Sequence, residues 1–241
     1  MAIDTNSATA PSPPRLGLIA RIVGVLFSPR DTYAAVAARP TWLGVLGVVL
    51  LIMGAAQYAL LSTDVGQQLA LDQQVGTMEA FGQTISDEQY DQMKQGMENA
   101  RYISPVFTLV FTPLIMAMSA GILHVIFGLV GGGNGTYRQV FAISSHSAII
   151  SALQLVFTTI MTVVSGRPAG ANLGIFVPTL EETSFVVRFL ETIDLFYVWS
   201  TLSTAIGLAV LYKRRTSPIA MVLFGIYLVI ALVVAYFRSG S

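Results

Sequence analysis

The ionisable side chains in the apolar part of this chain are the first candidates for chemistry. His124 and His146 lie in long apolar runs on either side of a glycine-rich stretch, and antiparallel helices would bring them to similar depth. An ionisable group is costly in apolar surroundings, so both are functional candidates, as a proton relay or a two-histidine metal contact. Alternatively, each histidine is neutral and hydrogen-bonded to a serine, such as Ser145 or Ser147, or to the backbone. Two ligands alone make a poor metal site, which favours this alternative.

Two carboxylates near the end of another apolar run could complete a site of two histidines and one acid. Asp194, however, lies roughly 27 Å along its helix from the opposite end of that span. The two histidines lie only about 10–13 Å from that same side of the membrane. Side chains cannot bridge that gap to bind one ion. Arg188, Glu191 and Asp194 are spaced three apart, which predicts a local ion pair at the outer boundary of a span. A catalytic pair of Glu191 and Asp194 is the alternative.

The glycine-rich stretch VGGGNGTYRQVF, residues 130–141, has the composition of a phosphate-binding loop. It also contains a cation, Arg138, shortly after its glycines. Such a loop needs a strand before it and a helix after it, usually with a Gly-Lys-Ser/Thr motif. Here an apolar helix precedes the loop, and that motif does not follow. Glycine and asparagine tolerate positive φ angles, so the stretch predicts a turn between antiparallel helices, with Thr136 capping the second.

No other motif indicates catalysis. The sequence has no Gly-x-Ser-x-Gly, His-Glu-x-x-His or Walker motif and no cysteine, so we predict no catalytic residue, no metal site and no cofactor. Hydrophobic residues make up 54% of the 241 residues and charged residues 11%, far from the usual quarter charged in soluble domains. The formal net charge is zero, which argues against nucleic acid as a partner.

Five segments are apolar over the roughly 20 residues that a helix needs to cross the hydrocarbon core. No alternating strand pattern competes with them. The sequence therefore predicts an all-α integral membrane protein whose residues 41–237 form a bundle of five transmembrane helices. The predicted spans are residues 42–61, 105–130, 139–164, 190–212 and 219–237, the fourth with an uncharged core at 195–212.

Lysine and arginine residues indicate the orientation, because they favour the cytoplasmic side of short loops. With the N-terminus inside, eight of the 13 lysine and arginine residues lie inside. The cluster Lys213-Arg214-Arg215, next to the end of a span, is the strongest single indication. We therefore predict a cytoplasmic N-terminus and a C-terminus outside.

Two segments precede the first span. Residues 1–14 are polar and proline-rich, which predicts a disordered tail. Residues 15–40 predict two cytoplasmic helices, the second starting near Ser28-Pro29 and ending at Arg39-Pro40. The first is predicted to be amphipathic and to lie in the membrane interface, with Arg15 and Arg21 near headgroups and a buried packing helix as the alternative. Its apolar face would comprise Ile19, Ile22, Val23 and Leu26.

The segment of residues 62–104, between the first two spans, is long and acidic, with seven acidic residues against two basic ones. Its Ser86-Asp-Glu-Gln89 sequence is a capping-box pattern, followed by apolar residues at helical spacing. We predict an extracytoplasmic helix that leads into the second span. A solvated acidic face explains these charges better than a cation site.

Four stretches together give the chain a family resemblance over roughly residues 15–237. They are LFSPRDTYAAVAARPTW, SDEQYDQMKQGMENARY, GTYRQVFAISSHSAIISAL and DLFYVWSTLSTAIGLAV. The chain resembles bacterial members of the Yip family, the Ypt/Rab-interacting membrane proteins. This resemblance implies five helices, a cytoplasmic N-terminus, a short C-terminus outside and a bacterial cytoplasmic membrane. Eukaryotic relatives bind Rab-type GTPases, but their DLYGP-like segment is missing here, so that activity is not carried over.

The leading hypothesis is a non-enzymatic membrane protein that organises the bilayer or a partner protein. Small residues spaced for close helix packing, such as Ser203 and Gly207, favour a packed bundle or a homo-oligomer over a wide pore. The expected partners are the lipid bilayer and a second copy or another membrane protein. A small transporter or channel that uses His124 and His146 is the alternative.

Overall fold

The structure is a computed structural model that describes residues 16–80, 82–177 and 184–239. The predicted disordered tail, residues 1–14, and Arg15 lie outside this part of the chain. The described residues form α-helices joined by short loops, with one 3₁₀ turn at Leu173–Phe176. The helices are α1 (Leu18–Phe27), α2 (Pro29–Ala38), α3 (Leu43–Leu61), α4 (Asp64–Ala80), α5 (Asp87–Leu123), α6 (Tyr137–Ser165), α7 (Phe185–Thr192), α8 (Leu195–Leu211) and α9 (Thr216–Ser239).

Within the described ranges, four helices are long and apolar enough to cross a membrane: α3, α5, α6 and α9. In α5 the apolar part continues beyond Leu123 through a π-helical segment, His124–Val130. The described residues are thus all-α, as the sequence predicts, with membrane-spanning helices at four of the five expected places. The remaining apolar helix, α8, has 17 residues.

The fourth predicted span, residues 190–212, is interrupted near its start. α7 ends at Thr192 and α8 begins at Leu195, so only the uncharged core of that prediction is one helix. Asp194 causes the break, because its carboxylate caps the amides at the start of α8, a role that aspartate favours over a place inside a helix. The structure therefore divides residues 190–212 between two helices.

α6 is the central helix of the bundle. It packs against α3, α5 and α8, and α8 in turn packs against α9 and α2. In the most apolar part of α6, 33% of the residues are buried, against 6% for α5. α6 therefore supplies much of the core, whereas α5 forms a flank whose apolar side chains face outward.

Two capping boxes fix the starts of α5 and α6, as the sequence predicts. The Ser86 hydroxyl accepts a hydrogen bond from the Gln89 amide, and the Gln89 side chain accepts one from the Ser86 amide. Thr136 and Gln139 form the same pair at the start of α6. α5 then runs without a break from the acidic segment into the second span, through Pro105 and Pro113.

The first helix, α1, is apolar on two sides, which corrects the predicted single face. Ile22 and Leu26 pack against the core of the bundle. Ile19, Val23 and Phe27, four residues apart, are 76%, 47% and 79% exposed. The exposed stripe is therefore a second apolar face, on the side of α1 away from the bundle.

Candidate functional site

Tyr33 of α2 is the centre of a buried polar cluster that joins three helices. Its side chain is fully buried, and its hydroxyl oxygen lies 2.7 Å from the hydroxyl of Ser147 on α6 and 2.7 Å from that of Ser203 on α8. Each of the three hydroxyls can donate and accept, so the cluster satisfies polar groups that would be costly if buried alone. α2 is thereby anchored inside the bundle.

Local structure brings Tyr33 to this position. Ser28 and Pro29 start α2 as predicted, although the Ser28 side chain makes no capping hydrogen bond and its carbonyl accepts from the Thr32 amide instead. At the other end of α2, the Gln139 side chain donates to the carbonyl of Ala37 at 2.7 Å. These contacts hold α2 across one end of α6, which we call the α2 end of the bundle.

The tyrosine ring needs space between α6 and α8, which Gly207 supplies. A Cβ atom at Gly207 would stand 3.2 Å from the Tyr33 ring and would overlap the Cγ2 methyl of Ile143 on α6. Ser203 and Gly207, one turn apart on α8, therefore accommodate the hydroxyl and the ring of the same tyrosine. The small-residue spacing seen in the sequence serves this close approach.

Burial raises the pKa of the Tyr33 phenol to about 12, and the hydrogen bonds from Ser147 and Ser203 offset only part of that effect. The phenol therefore remains neutral at any physiological pH. It acts as a hydrogen-bonding group within the bundle, and it is too weak an acid to serve as a general acid or base near pH 7.

His146 is fully buried in α6, and its Nδ1 lies 2.7 Å from the carbonyl oxygen of Ala142. A carbonyl only accepts, so Nδ1 carries a proton and donates to it. Nε2 has no hydrogen-bond partner within the described part of the chain. The backbone bond agrees with the neutral-histidine alternative. The neighbouring serines bond elsewhere, Ser145 to the Phe141 carbonyl and Ser147 to Tyr33.

His124 has different neighbours. Its ring stands at 78° to the ring of Tyr137, with 6.4 Å between centroids, and its Nδ1 is buried without a hydrogen-bond partner among the described residues. Across those residues, no hydrogen bond or ring contact joins His124 to His146, and no group of three potential metal ligands occurs. The predicted histidine pair is not brought into contact.

The acidic candidates have structural partners. Glu191 forms the predicted ion pair with Arg188, at 3.5 Å. Asp194 is 7% exposed, and its carboxylate accepts the amides of Phe196 at 2.7 Å and Tyr197 at 3.3 Å. Asp194 is therefore the N-terminal cap of α8.

The same cap is tied to the last helix and to the loop after α6. The hydroxyl of Tyr227 on α9 accepts from the Asp194 amide and donates to the Thr192 carbonyl. Leu195 donates to the carbonyl of Ala171 at 2.9 Å. The break between α7 and α8 is thus a rigid junction held from two sides.

The glycine-rich stretch forms the connection between the π-helical end of α5 and the start of α6. Gly132 adopts a φ of +67°. A Cβ at Gly133 would overlap the Tyr212 ring, so the stretch packs closely against the end of α8. The Arg214 side chain donates to the carbonyl of Gly131. Arg138 is exposed in the first turn of α6. The glycines serve this hairpin and its packing.

Arg21, expected to meet headgroups, ties α1 to the start of the first span. Its guanidinium donates to the carbonyl of Thr41 at 2.8 Å and to the Thr41 hydroxyl. Tyr33 was not among the candidates from the sequence, and Ser147 was considered only as a possible partner of a histidine. The spacing of Ser203 and Gly207 was the one signal that pointed to the Tyr33 cluster, since it marked where another side chain could approach α8 closely.

Comparison with known proteins gives one family and one curated relative. The Yip1 domain matches residues 23–237 of the chain. The chain is similar to "Membrane protein YknW" of Bacillus subtilis (strain 168), with 27% identity over 247 residues, 95% of this chain and 94% of that protein. No solved structure matches the chain.

Proposed function

The chain belongs to the Yip1 domain family, and on that premise we propose that it is a non-enzymatic membrane protein that organises the bilayer or partner proteins around its bundle. One observation carries the proposal. α2 is anchored in the bundle by Tyr33, while the attached α1 keeps Ile19, Val23 and Phe27 exposed. A rigidly held helix with an outward apolar stripe is suited to sit in the membrane interface.

The polar groups inside the bundle support the same proposal. Tyr33 bonds to two serines, the Nδ1 of His146 bonds to its own helix, and Asp194 caps α8. Each of these residues is bonded within the bundle, and in His146 only Nε2 has no partner among the described residues. Substrate turnover by the reconstituted chain that is lost in a correctly folded His146→Ala variant would contradict the proposal.

The interfacial placement of α1 can be measured with spin labels, because the chain contains no cysteine and single-cysteine variants label at one site. Labels at Ile19→Cys, Val23→Cys and Phe27→Cys in the protein reconstituted into liposomes are expected to collide more with oxygen, which concentrates in lipid, than with a water-soluble nickel chelate. The reason is that these exposed apolar side chains gain free energy from leaving water, about 25 cal/mol per Å².

Gln92→Cys is the matched control, since Gln92 is exposed on the acidic segment at the start of α5. Its label should show the reverse preference, for the nickel chelate. The proposal is wrong if the three α1 labels behave like the Gln92 label.

We further propose that α8 is the fifth span and that the α2 end faces the cytoplasm of a bacterial cell. Seventeen residues at 1.5 Å each give a helix of about 25 Å, near the lower limit for a transmembrane segment. Arg30, Arg138 and the cluster Lys213-Arg214-Arg215 all belong to the α2 end, which favours the inside. Five spans then leave the C-terminus outside.

This topology predicts opposite labelling of two exposed loop positions by a membrane-impermeant maleimide. In intact cells, Gln83→Cys between α4 and α5 is expected to react, whereas Asn134→Cys in the glycine-rich connection reacts only after the membrane is permeabilised. The measurement is a gel shift or mass shift of each variant. Labelling of Asn134→Cys in intact cells would contradict the proposed orientation.

A further inference from the structure

A groove at the α2 end lies between the first turn of α2 and the end of α8. Its volume is about 460 Å³. The two sides come from chain segments far apart in sequence, so the fold creates the groove. We call it the basic groove; it is lined by Arg30, Asp31, Ala34, Ala209, Val210, Lys213 and Arg214.

The basic groove concentrates positive charge. It holds three cationic side chains and one carboxylate, which leaves a net charge of about two in a chain whose formal net charge is zero. Within the described residues, the side chains of Arg30 and Lys213 have neither an ion-pair nor a hydrogen-bond partner. Their donors are therefore available to an anion.

Lys213 provides an independent indication. Its φ is +52°, in the left-handed region, where it is the sole non-glycine residue in the described part of the chain. The backbone amide of Lys213 donates to the Val210 carbonyl, and the backbone amide of Arg214 donates to the Ala209 carbonyl. These are the two bonds of a Schellman motif, which ends α8. Glycine would adopt this conformation without steric cost. The backbone conformation therefore does not account for a lysine at this position, and its side chain is a candidate for a function.

The surroundings of the groove indicate which kind of anion reaches it. Ala34, Ala209 and Val210 give the groove an apolar floor, and Phe27, 79% exposed, lies three residues before Arg30. With α1 in the interface as proposed above, the groove opens at the level of the lipid headgroups. A ligand with a phosphate beside apolar chains fits this combination of cations and apolar floor.

We propose that the basic groove binds the headgroup of an anionic phospholipid, with Arg30, Lys213 and Arg214 around its phosphate. The inference builds on the proposed interfacial position of α1. Guanidinium groups match phosphate oxygens with two parallel N–H donors, and the lysine ammonium adds a point charge. The Asp31 carboxylate can accept a headgroup hydroxyl, which favours a glycerol headgroup over a bare polyanion.

The test measures binding of short-chain phosphatidylglycerol to the full-length protein in a neutral detergent by native mass spectrometry. Lys213→Gly and Arg30→Gln are each expected to raise the apparent Kd about tenfold or more, because each loses a charge-assisted contact. Lys213→Gly also relieves the left-handed lysine, so its thermal stability should be unchanged or higher, which separates lost binding from lost folding.

Arg215→Gln is the matched control. It removes the same charge from the same cluster, but Arg215 does not line the groove, so its Kd should stay within about twofold of that of the unmodified protein. Equal losses in Arg215→Gln and Lys213→Gly would show a general charge effect and overturn the proposal. Unchanged binding in both Lys213→Gly and Arg30→Gln would also overturn it.

Two further arms identify the ligand. Phosphatidylcholine of the same chain length should bind at least tenfold more weakly, and millimolar inorganic phosphate should not displace phosphatidylglycerol. Displacement by inorganic phosphate would mean a site for free anions and would overturn the lipid assignment.

The α1 spin labels distinguish this inference from the proposed function. If the α1 labels lie in lipid while Lys213→Gly and Arg30→Gln bind phosphatidylglycerol with an unchanged Kd, only the proposed lipid site in the groove is refuted. If the α1 labels lie in water while the Kd for phosphatidylglycerol still depends on Lys213, the interfacial placement of α1 is refuted and the lipid site in the groove stands.

Discussion

Tyr33→Ala is expected to lower the free energy of unfolding of the bundle by about 3–5 kcal/mol, the usual cost of removing a large buried aromatic side chain. The ring fills space between α6 and α8, and its loss leaves a cavity and two buried serine hydroxyls without their partner. The measurement is reversible unfolding of the purified protein in mixed micelles, followed by circular dichroism.

Tyr33→Phe separates the hydroxyl from the ring. It should cost about 1–3 kcal/mol, because Ser147 and Ser203 lose a buried hydrogen-bond partner while the packing is kept. Adding Ser147→Ala and Ser203→Ala to Tyr33→Phe should recover much of that loss, since an all-apolar cluster has no unsatisfied group. A Tyr33→Phe variant as stable as the unmodified protein would contradict the role of the hydroxyl cluster.

Gly207→Ala is expected to destabilise the bundle by about 1–3 kcal/mol through overpacking. The added methyl group would overlap the Ile143 Cγ2 and press on the Tyr33 ring, so α8 would have to move away from α6 or the ring would have to shift. Thermal unfolding in detergent should show a lower midpoint. The amide protection of α2 should fall as well, because α2 depends on this contact.

Gly225→Ala is the matched control on α9. An added Cβ there meets no atom within 4 Å, so the change should be neutral or slightly stabilising in a helix. Equal destabilisation by Gly207→Ala and Gly225→Ala would indicate a general effect of alanine in these helices and would contradict the specific overlap at Gly207.

The features that the sequence predicted correctly are those that short stretches determine. Apolar length places α3, α5, α6 and α9, and the Ser86–Gln89 and Thr136–Gln139 pairs mark helix starts three residues apart. The Arg188–Glu191 ion pair likewise depends on spacing within one helix. Such local relations follow from helix geometry alone.

Features that depend on distant residues were missed. One local signal was missed as well: Asp194 was interpreted as a boundary residue of a continuous span, although an aspartate just before an apolar helix is also a capping signal. α1 is apolar on two sides, and its sequence alone could not show which side meets the bundle. The Tyr33 cluster could not be predicted, because nothing near Tyr33 identifies Ser147 or Ser203 as its partners.

The Tyr33 cluster also constrains the order in which the newly made chain can assemble. The two serines follow the tyrosine by 114 and 170 residues, so the ribosome completes the second partner only when α8 is being made. Until then α2 lacks its contacts with α8 and can dock only against α6, through Ser147 and Gln139. α1 and α2 therefore remain partly docked beside the first span while the later spans enter the bilayer. The exposed stripe of α1 would hold α1 and α2 at the membrane surface during that time. Closure of the bundle around Tyr33 is therefore a late step of biogenesis, and a chain cut short before α8 would leave Tyr33 without Ser203 and α2 without its contacts with α8.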